Sequence, residues 1–551
     1  MYCAVLPRLR LPTSMTASSF ESNPASAEAL LMSDHPDDPY HLERLASAKA
    51  HARGMGGPDK LARQHAAGRL SARERIAGLL DADSFQELGL LARSDREPDR
   101  DTTPTDGKIT GFGEVDGRAV YIGADDATIK AGSYGRVGHK KSHEGMDYAL
   151  KKGFPIINLG DAGGGRIPDV MGAPGLMSIV LPIDQPTRDR FVPYVATIMG
   201  DCFGGPSFYA QLADIVVQVK SSVMAVTGPP VLAAATGEQV EAQALGGWEL
   251  HARTTGLVDL FADDDAHCLQ LVRKVLSYLP SNANHLPPLV RSGDPAERRL
   301  DDIYEQLPAS PRKGYDMRRV LSTIVDKDSM LELKPLYDRS LITALARLDG
   351  TVVGVLANNP MFNAGAMGWG ACEKATAFIA LCDSFHIPLI FLHDTPGFFV
   401  SEAAERHKMP LRIMQFIDAL HHATVPKLSV IVRKSYGMAH CNMLGANMNA
   451  DCLLAWPTAD VSFMAPEVAV NVVYGRKLAS APDPEAERER LLAELQEMNS
   501  PWEAAGLNLV DDIIDPADTR IELVRALRRA QGPDGDMGRS DRRLANWPTM
   551  F

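Results

Sequence analysis

The feature that most constrains this chain is that it contains itself twice. Sliding the second half onto the first by 233 positions brings Asp394 onto Asp161, Gly397 onto Gly164, Pro388 onto Pro155, Lys374 onto Lys141, Gly368 onto Gly135 and Gly365 onto Gly132, with no gap. Single glycine or proline matches are cheap, but six in one register are not. Further along the offset grows to 237, where Asp451 falls on Asp214, Pro466 on Pro229 and Gly437 on Gly200. A chain of 551 residues has room for several domains, and the repeat divides it into two of one kind.

Both copies are built in the same order. A turn, VDGR or LDGT, joins two short apolar runs, which signals a hairpin. A Gly-containing loop then enters a helical stretch, GHKKSHEGMDYALKKG or GACEKATAFIALCDSFH, followed by a buried strand, PIINLGD or PLIFLHD, and later by PYVATIMGD or KLSVIVRK. Strands alternating with helices predict parallel βαβ units, hence two similar α/β domains. Their expected spans are 41–290 and 314–551, joined by a linker at 291–313 within a stretch rich in Pro, Arg and Asp. Residues 41–91 have helical periodicity, Ser71 and Glu74 have capping-box spacing, and 94–105 reads as a surface loop. Residues 1–40 have no sustained period. They read as a disordered leader, as sequence ahead of a start at Met15 or Met32, or as a weak targeting segment at 2–11 broken by Pro7, Arg8 and Arg10.

Composition narrows the function. A net charge of −13 argues against a nucleic-acid surface, and no run reaches the ~20 apolar residues of a membrane span. The seven cysteines lack metal-ligand spacing and predict reduced thiols in the cytoplasm. His421 and His422 are adjacent, so they point apart on a helix and read as a solvated face rather than a metal pair.

The stretch DAGGGRI puts Gly163, Gly164 and Gly165 directly behind a buried strand. Such a loop offers unpaired N–H groups, and glycine lets a ligand approach the backbone closely. No Gly-Lys-Ser/Thr follows, so this is not a Walker A loop, and it is not a GxGxxG turn either. An oxyanion hole and a tight packing turn remain. Small residues also cluster behind the strand KLSVIVRK, at Gly437, Ala439, Gly445 and Ala446. Two such donor sets suit a reaction in which two carbonyl-like oxygens gain charge.

Taken together, RQHAAGRLSARERIAGLLDADSF, DAGGGRI, MGDCFGGPSFYAQLAD, PGFF with ATVPK, YGMAHCNM and AWPTADVSFMAPEVAVNVVY resemble one family. It is the carboxyltransferase (beta) subunit of biotin-dependent acyl-CoA carboxylases, the propionyl-CoA and methylcrotonyl-CoA carboxylase group. The likeness runs from about residue 42 to 531. It implies two tandem crotonase-like (ClpP/crotonase) ββα-superhelix domains, with acyl-CoA on the N-terminal one and carboxybiotin on the C-terminal one, meeting at a subunit interface. Carried over by position, the N–H groups of Gly163 and Gly164 would hold the thioester enolate. Those of Met438 and Ala439 would hold the ureido oxygen of biotin. Gly437, His440 and Cys441 fall on the biotin side, and Gly132, Ser133, Gly165, Arg166, Gly204 and Gly205 on the acyl-CoA side.

Three features depart from the family pattern. Met438 replaces a usual glycine, Cys441 stands at a small or acidic position near the acyl pocket, and SEAAERHKMPLRIMQ replaces a Gly-Gly and His-Gly pattern. No Met-Lys-Met biotin segment or ATP-grasp region is present, so the resemblance implies partner chains: a biotin carrier and a biotin carboxylase that uses ATP and bicarbonate. It also implies a homo-oligomer, a hexameric core or dimers. The alternatives are a biotin-dependent decarboxylase or transcarboxylase subunit, a biotin-independent hydratase or isomerase, and a non-catalytic assembly subunit. Lys141 and Lys374 read as salt-bridge residues, with CoA phosphate as a second option for Lys141, and Asp161 and Asp394 read as loop anchors.

Overall fold

The computed structural model describes residues 40–176, 189–291, 293–310, 313–532 and 540–547. The leader expectation for 1–39 therefore lies outside the described residues, as do positions 292, 311 and 312 of the expected linker. Helix Leu42–Arg53 belongs to a separate unit ending at Gly54; everything from Met55 onward forms the second.

The predicted repeat is visible strand by strand. In the first copy β1 (Gln86–Leu88), β2 (Lys108–Val115) and β3 (Arg118–Asp125) are antiparallel. β4 (Ile156–Gly160), β5 (Tyr194–Ile198), β7 (Ile215–Val219) and β9 (Leu260–Ala262) then continue the sheet in parallel, while β6 (Asp201–Phe203) pairs with β8 (Val223–Ala225). The second copy repeats the order. β10 (Leu331–Leu333), β11 (Leu341–Leu348) and β12 (Thr351–Asn358) are antiparallel, and β13 (Leu389–Thr395), β14 (Lys427–Tyr436), β15 (Cys452–Ala455) and β17 (Asp512–Ile513) are parallel. β16 (Asp460–Ser462) pairs with the far end of β14.

Both hairpin turns are where the sequence puts them. Asp116 and Gly117 (φ 52° and 72°) match Asp349 and Gly350 (φ 52° and 79°), the positive-φ pair of a type I′ turn. In each copy one earlier aspartate caps both turn N–H groups: Asp81 at 3.1 and 2.7 Å, Asp326 at 3.0 and 2.8 Å. The capping box is formed too, with Ser71 and Glu74 exchanging hydrogen bonds at the start of helix Ala72–Leu79.

One detail of the repeat is corrected. β4 pairs Ile156 with Tyr194 and β13 pairs Leu389 with Lys427; β6 pairs Asp201 with Val223 and β14 pairs Lys434 with Asp460. The offset of 233 therefore holds through Phe203 and Tyr436, and the extra residues come only after the next glycine. Gly437 corresponds to Gly204, not Gly200; both have positive φ, 59° and 67°, at the start of a short helix.

The repeated Gly132 and Gly365 have one cause. Both have positive φ, and a Cβ would lie 2.1 Å from the Asp161 carbonyl oxygen or 2.2 Å from that of Asp394. One apolar cluster runs through both copies, from Ile109, Leu159 and Val217 to Leu341, Phe378 and Phe391. The C-terminal segment returns to the first copy, where the Arg190 Nη1 donates to the carbonyls of Leu544 (3.0 Å) and Ala545 (3.1 Å). Among the described residues no helix is long and apolar enough to cross a membrane.

Candidate active site

The end of β4 is held from below before the glycines begin. Asp161 donates its N–H to Asp125 Oδ2 (3.0 Å), and its carboxylate receives Arg75 Nη1 (2.9 Å). Arg75 also reaches Asp265 (2.8 Å) and the Met199 carbonyl (3.3 Å), with its side chain fully buried. In the second copy Lys434 lies 2.7 Å from the Asp394 carboxylate, so the matching aspartates are neutralised from different directions.

Beyond Asp161 the chain turns back on the loop at 130–134. Gly163 donates its N–H to the Ala131 carbonyl (3.0 Å), the Gly164 carbonyl accepts the Tyr134 N–H (3.0 Å), and the Arg166 N–H returns to the Tyr134 carbonyl (2.8 Å). Of the two N–H groups expected to face a thioester, that of Gly163 is thus already used by the protein. The Gly164 N–H, at φ 104°, has no acceptor among the described residues. Gly204 and Gly205 open the neighbouring helix Gly205–Ala210, and a Cβ on Gly164 would lie 3.1 Å from the Phe203 carbonyl oxygen. Gly132, Ser133, Gly163, Gly164, Gly165 and Arg166, beyond the ends of β3 and β4, are thus near Gly204 and Gly205 at the end of β6.

Not all of them face outward. Gly132 is packed on Asp161, and Arg166 is buried, with Nη1 on Asp106 (2.7 Å) and Nη2 on the Ser133 carbonyl (3.3 Å). Lys141 was expected to form a salt bridge or meet phosphate. Its ammonium instead caps the carbonyls of Gly89 (3.2 Å), Thr105 (3.0 Å) and Lys108 (2.5 Å), and Lys374 caps that of Tyr337 (2.8 Å). Burial lowers both lysines to about 8.

On the second sheet the first turn of helix Gly437–Asn442 presents the N–H groups of Met438 and Ala439, with no side-chain cap and no acceptor among the described residues. Met438 is exposed and Ala439 fully buried. The repeat register adds an exchange: Pro206 stands where Ala439 stands, and Pro396 where Gly163 stands. Each copy has lost an N–H where the other keeps one.

His440 is braced inward. The Ala446 N–H donates to His440 Nε2 (2.8 Å), so the neutral ring carries its proton on Nδ1 and donates it to Ser435 Oγ (2.9 Å). The Ser435 hydroxyl donates to His393 Nδ1 (2.8 Å), and His393 Nε2–H donates to Ser429 Oγ (2.7 Å). Gly445 makes room, since a Cβ there would lie 2.2 Å from His440 Nε2. Both ring nitrogens of His440 are thus committed to the protein. Cys441 is half-buried and its thiol is raised by burial, so it is not an activated nucleophile.

Burial pulls His440 down to about 4 and His393 well below its usual value; His139 falls to about 4. These rings stay neutral in the fold while the unfolded chain takes up protons below about pH 6.5. Stability is therefore fully present above pH 6.5 and falls with acid by about 1.4 kcal/mol per pH unit for each such histidine, levelling for His139 and His440 below about pH 4. Urea midpoints at pH 7.5 and 5.5 check this: the second should be clearly lower, and equal midpoints would contradict it.

The sequence reading missed Arg75, Asp106 and the His393 brace. It also missed a half-buried cluster of His139, His143 and Tyr209, of which only the i, i+4 histidines in GHKKSHEG left a local trace.

A family model, "Carboxyl transferase domain", matches residues 63–533. The chain belongs to this family. A propionyl-CoA carboxylase carboxyltransferase subunit of Haloferax mediterranei is 37% identical over 88% of this chain and 95% of its own length. A methylmalonyl-CoA decarboxylase subunit alpha of Propionigenium modestum is 35% identical over 87% and 93%. A crystal structure of transcarboxylase 12S, described as a hexamer with methylmalonyl-coenzyme A and methylmalonic acid bound, superimposes with a TM-score of 0.84 at 34% identity, covering 91% of this chain and 96% of that one. The chain is therefore a carboxyltransferase of the biotin-dependent acyl-CoA carboxylase and transcarboxylase family. The crotonase-like fold expected for both copies is the fold of these neighbours.

Proposed function

We propose that this chain is the carboxyltransferase subunit that moves a carboxyl group from carboxybiotin, carried on a partner chain, to the α-carbon, or vinylogous γ-carbon, of an acyl-CoA. The observation that carries this is the pair of open N–H sets at matching edges of two duplicated sheets: Gly164 in the first copy, Met438 and Ala439 in the second.

Gly164 donates to the thioester oxygen as the α-carbon loses its proton, while Gly163 fixes the loop through Ala131. The residues of the second copy fit biotin's ureido oxygen, since their two N–H groups start a helix and lack an acceptor among the described residues. Carboxybiotin would supply the carboxyl group and, once that has left, a basic ureido nitrogen beside the α-carbon. His440, committed through both nitrogens to Ser435 and Ala446, braces the Gly437 turn from within the protein. The two sets belong to different sheets of one chain, and the family resemblance implies that they meet between subunits. This agrees with the hexamer of the related 12S subunit. The partners are a biotin carrier and a biotin carboxylase that consumes ATP and bicarbonate.

The test is reconstitution of the full chain with its biotinylated partner, ATP and labelled bicarbonate across an acyl-CoA panel. Acid-stable label that depends on both acyl-CoA and biotin is the expected result; none with any acyl-CoA sinks the proposal. A second reading, decarboxylase or transcarboxylase, is favoured by the near-equal identity to the Propionigenium modestum subunit. It predicts consumption of a carboxylated acyl-CoA without ATP.

A further inference from the structure

The first copy has a partly open cavity of about 50 Å³ between its sheet, helix Arg136–Lys152 and helix Gly205–Ala210. That is room for a few water molecules, or on the order of three heavy atoms of an acyl chain. Its wall is polar. His143 Nε2 lies 2.8 Å from His139 Nε2, and the Tyr209 hydroxyl lies 3.2 Å from each. Among the described residues nothing hydrogen-bonds the Tyr134 hydroxyl or the Asn158 side-chain amide, which also line it.

One wall residue, Tyr134, joins the cavity to the Gly164 loop. Tyr134 donates its N–H to the Gly164 carbonyl (3.0 Å), and its ring lies 3.1 Å from where a Cβ of Gly205 would be. Pro206, next in that helix, is also in the wall.

The duplication supplies an internal control. The positions of Tyr134, His139, His143 and Asn158 are occupied in the second copy by Met367, Cys372, Thr376 and Phe391. All four are buried, and Met367, Cys372 and Phe391 belong to the continuous apolar cluster. The second copy thus does without the two histidines and the tyrosine at these positions, while Asn358 and Lys427 stand where Asp125 and Tyr194 stand, so the histidine–tyrosine cluster is particular to the first copy. The cavity is also electrically balanced, because the Lys108 ammonium is paired with Asp125 and donates to the Gly132 carbonyl.

Resting on the acyl-CoA assignment above, we propose that this cavity is an acyl subsite selecting an acyl group that ends in an uncharged hydroxyl or oxo group over an alkyl group of the same length. An alkyl end would leave the Tyr134, Asn158 and Tyr209 polar groups facing apolar surface, whereas a hydroxyl can donate to and accept from them.

The test compares 3-hydroxypropionyl-CoA with butyryl-CoA, which carries a methyl in place of the hydroxyl. Binding to the full chain is measured calorimetrically, in the wild type, in Tyr209→Phe, and in Tyr209→Phe with His143→Val. The hydroxylated thioester should bind at least about 10-fold tighter in the wild type. That ratio should fall below about 2 in the double variant, with the affinity for CoA itself unchanged. Butyryl-CoA binding as tightly as the hydroxylated ester in the wild type, or a preference that survives both substitutions, overturns the subsite. Should the double variant fail to fold, Tyr209→Phe removes a single oxygen and must itself reduce the ratio. Carboxyl transfer that prefers butyryl-CoA would defeat the subsite and leave the carboxyltransferase reading standing. Hydroxyl-selective binding without carboxyl transfer to any ester would do the reverse.

Discussion

Arg75→Ala is expected to lower the unfolding free energy by about 3–5 kcal/mol, the cost of stranding buried charge. The side chain is 1% exposed and joins Asp161 at 2.9 Å to Asp265 at 2.8 Å. Both carboxylates are about as deeply buried, so removing the guanidinium leaves two negative charges facing each other in low dielectric. Little can move in to replace it: Gly200 sits so close to Asp161 that a Cβ there would lie 1.8 Å from Oδ1. Arg75→Lys should recover only part of the loss, because an ammonium cannot make both the Nε and the Nη1 contact. Since Asp161 begins the loop that carries Gly163–Gly165, affinity for CoA thioesters should fall along with stability. Urea unfolding followed by circular dichroism checks the first effect and calorimetric binding the second. A change below about 1 kcal/mol would show that Arg75 does not hold the loop.

How far the sequence carried depends on whether a constraint is local. The Asp-Gly turns and the Ser71 capping box are written in neighbouring residues, and the duplication in a repeated register, so the hairpins, the helix start and the duplication were all legible. The place where the repeat slips was not. Strands β5 and β6 together match the single strand β14, and only pairing with β8 and β16 shows that Gly437 answers to Gly204. Long-range partners were equally hidden. Arg75 and Asp161 are 86 residues apart, and Tyr209 is 66 residues from His143. Lys141 shows the limit most clearly: a lysine at a helix start suggests a carboxylate or a phosphate, yet three backbone carbonyls, those of Gly89, Thr105 and Lys108, receive it. The glycines at 163 and 164 were recognised as a pair, but a residue type does not say which N–H is already spent. Only the fold shows that Ala131 takes the first.

Ala439→Pro is expected to fold normally and to lose carboxyl-transfer turnover by roughly 10²–10³-fold, corresponding to about 2.7–4 kcal/mol of transition-state stabilisation. The substitution is one the protein already tolerates in its other half, because Pro206 occupies the matching position in helix Gly205–Ala210. Proline in the first turn of a helix removes an N–H that no backbone carbonyl of the helix would accept, so secondary structure loses nothing. What is lost is one of the two donors offered by Met438 and Ala439. A uniform binding contribution would appear in KM, whereas a donor aimed at charge that develops during reaction appears in kcat. The acyl-CoA KM should therefore barely move, since that substrate belongs to the other sheet. Ala439→Gly keeps the N–H and should keep most of the turnover, which separates the donor from the buried methyl group. Thermal unfolding establishes that both variants fold, and steady-state kinetics with the biotinylated partner supplies kcat and KM. If folded Ala439→Pro turns over like the wild type, this helix start does not stabilise the transition state.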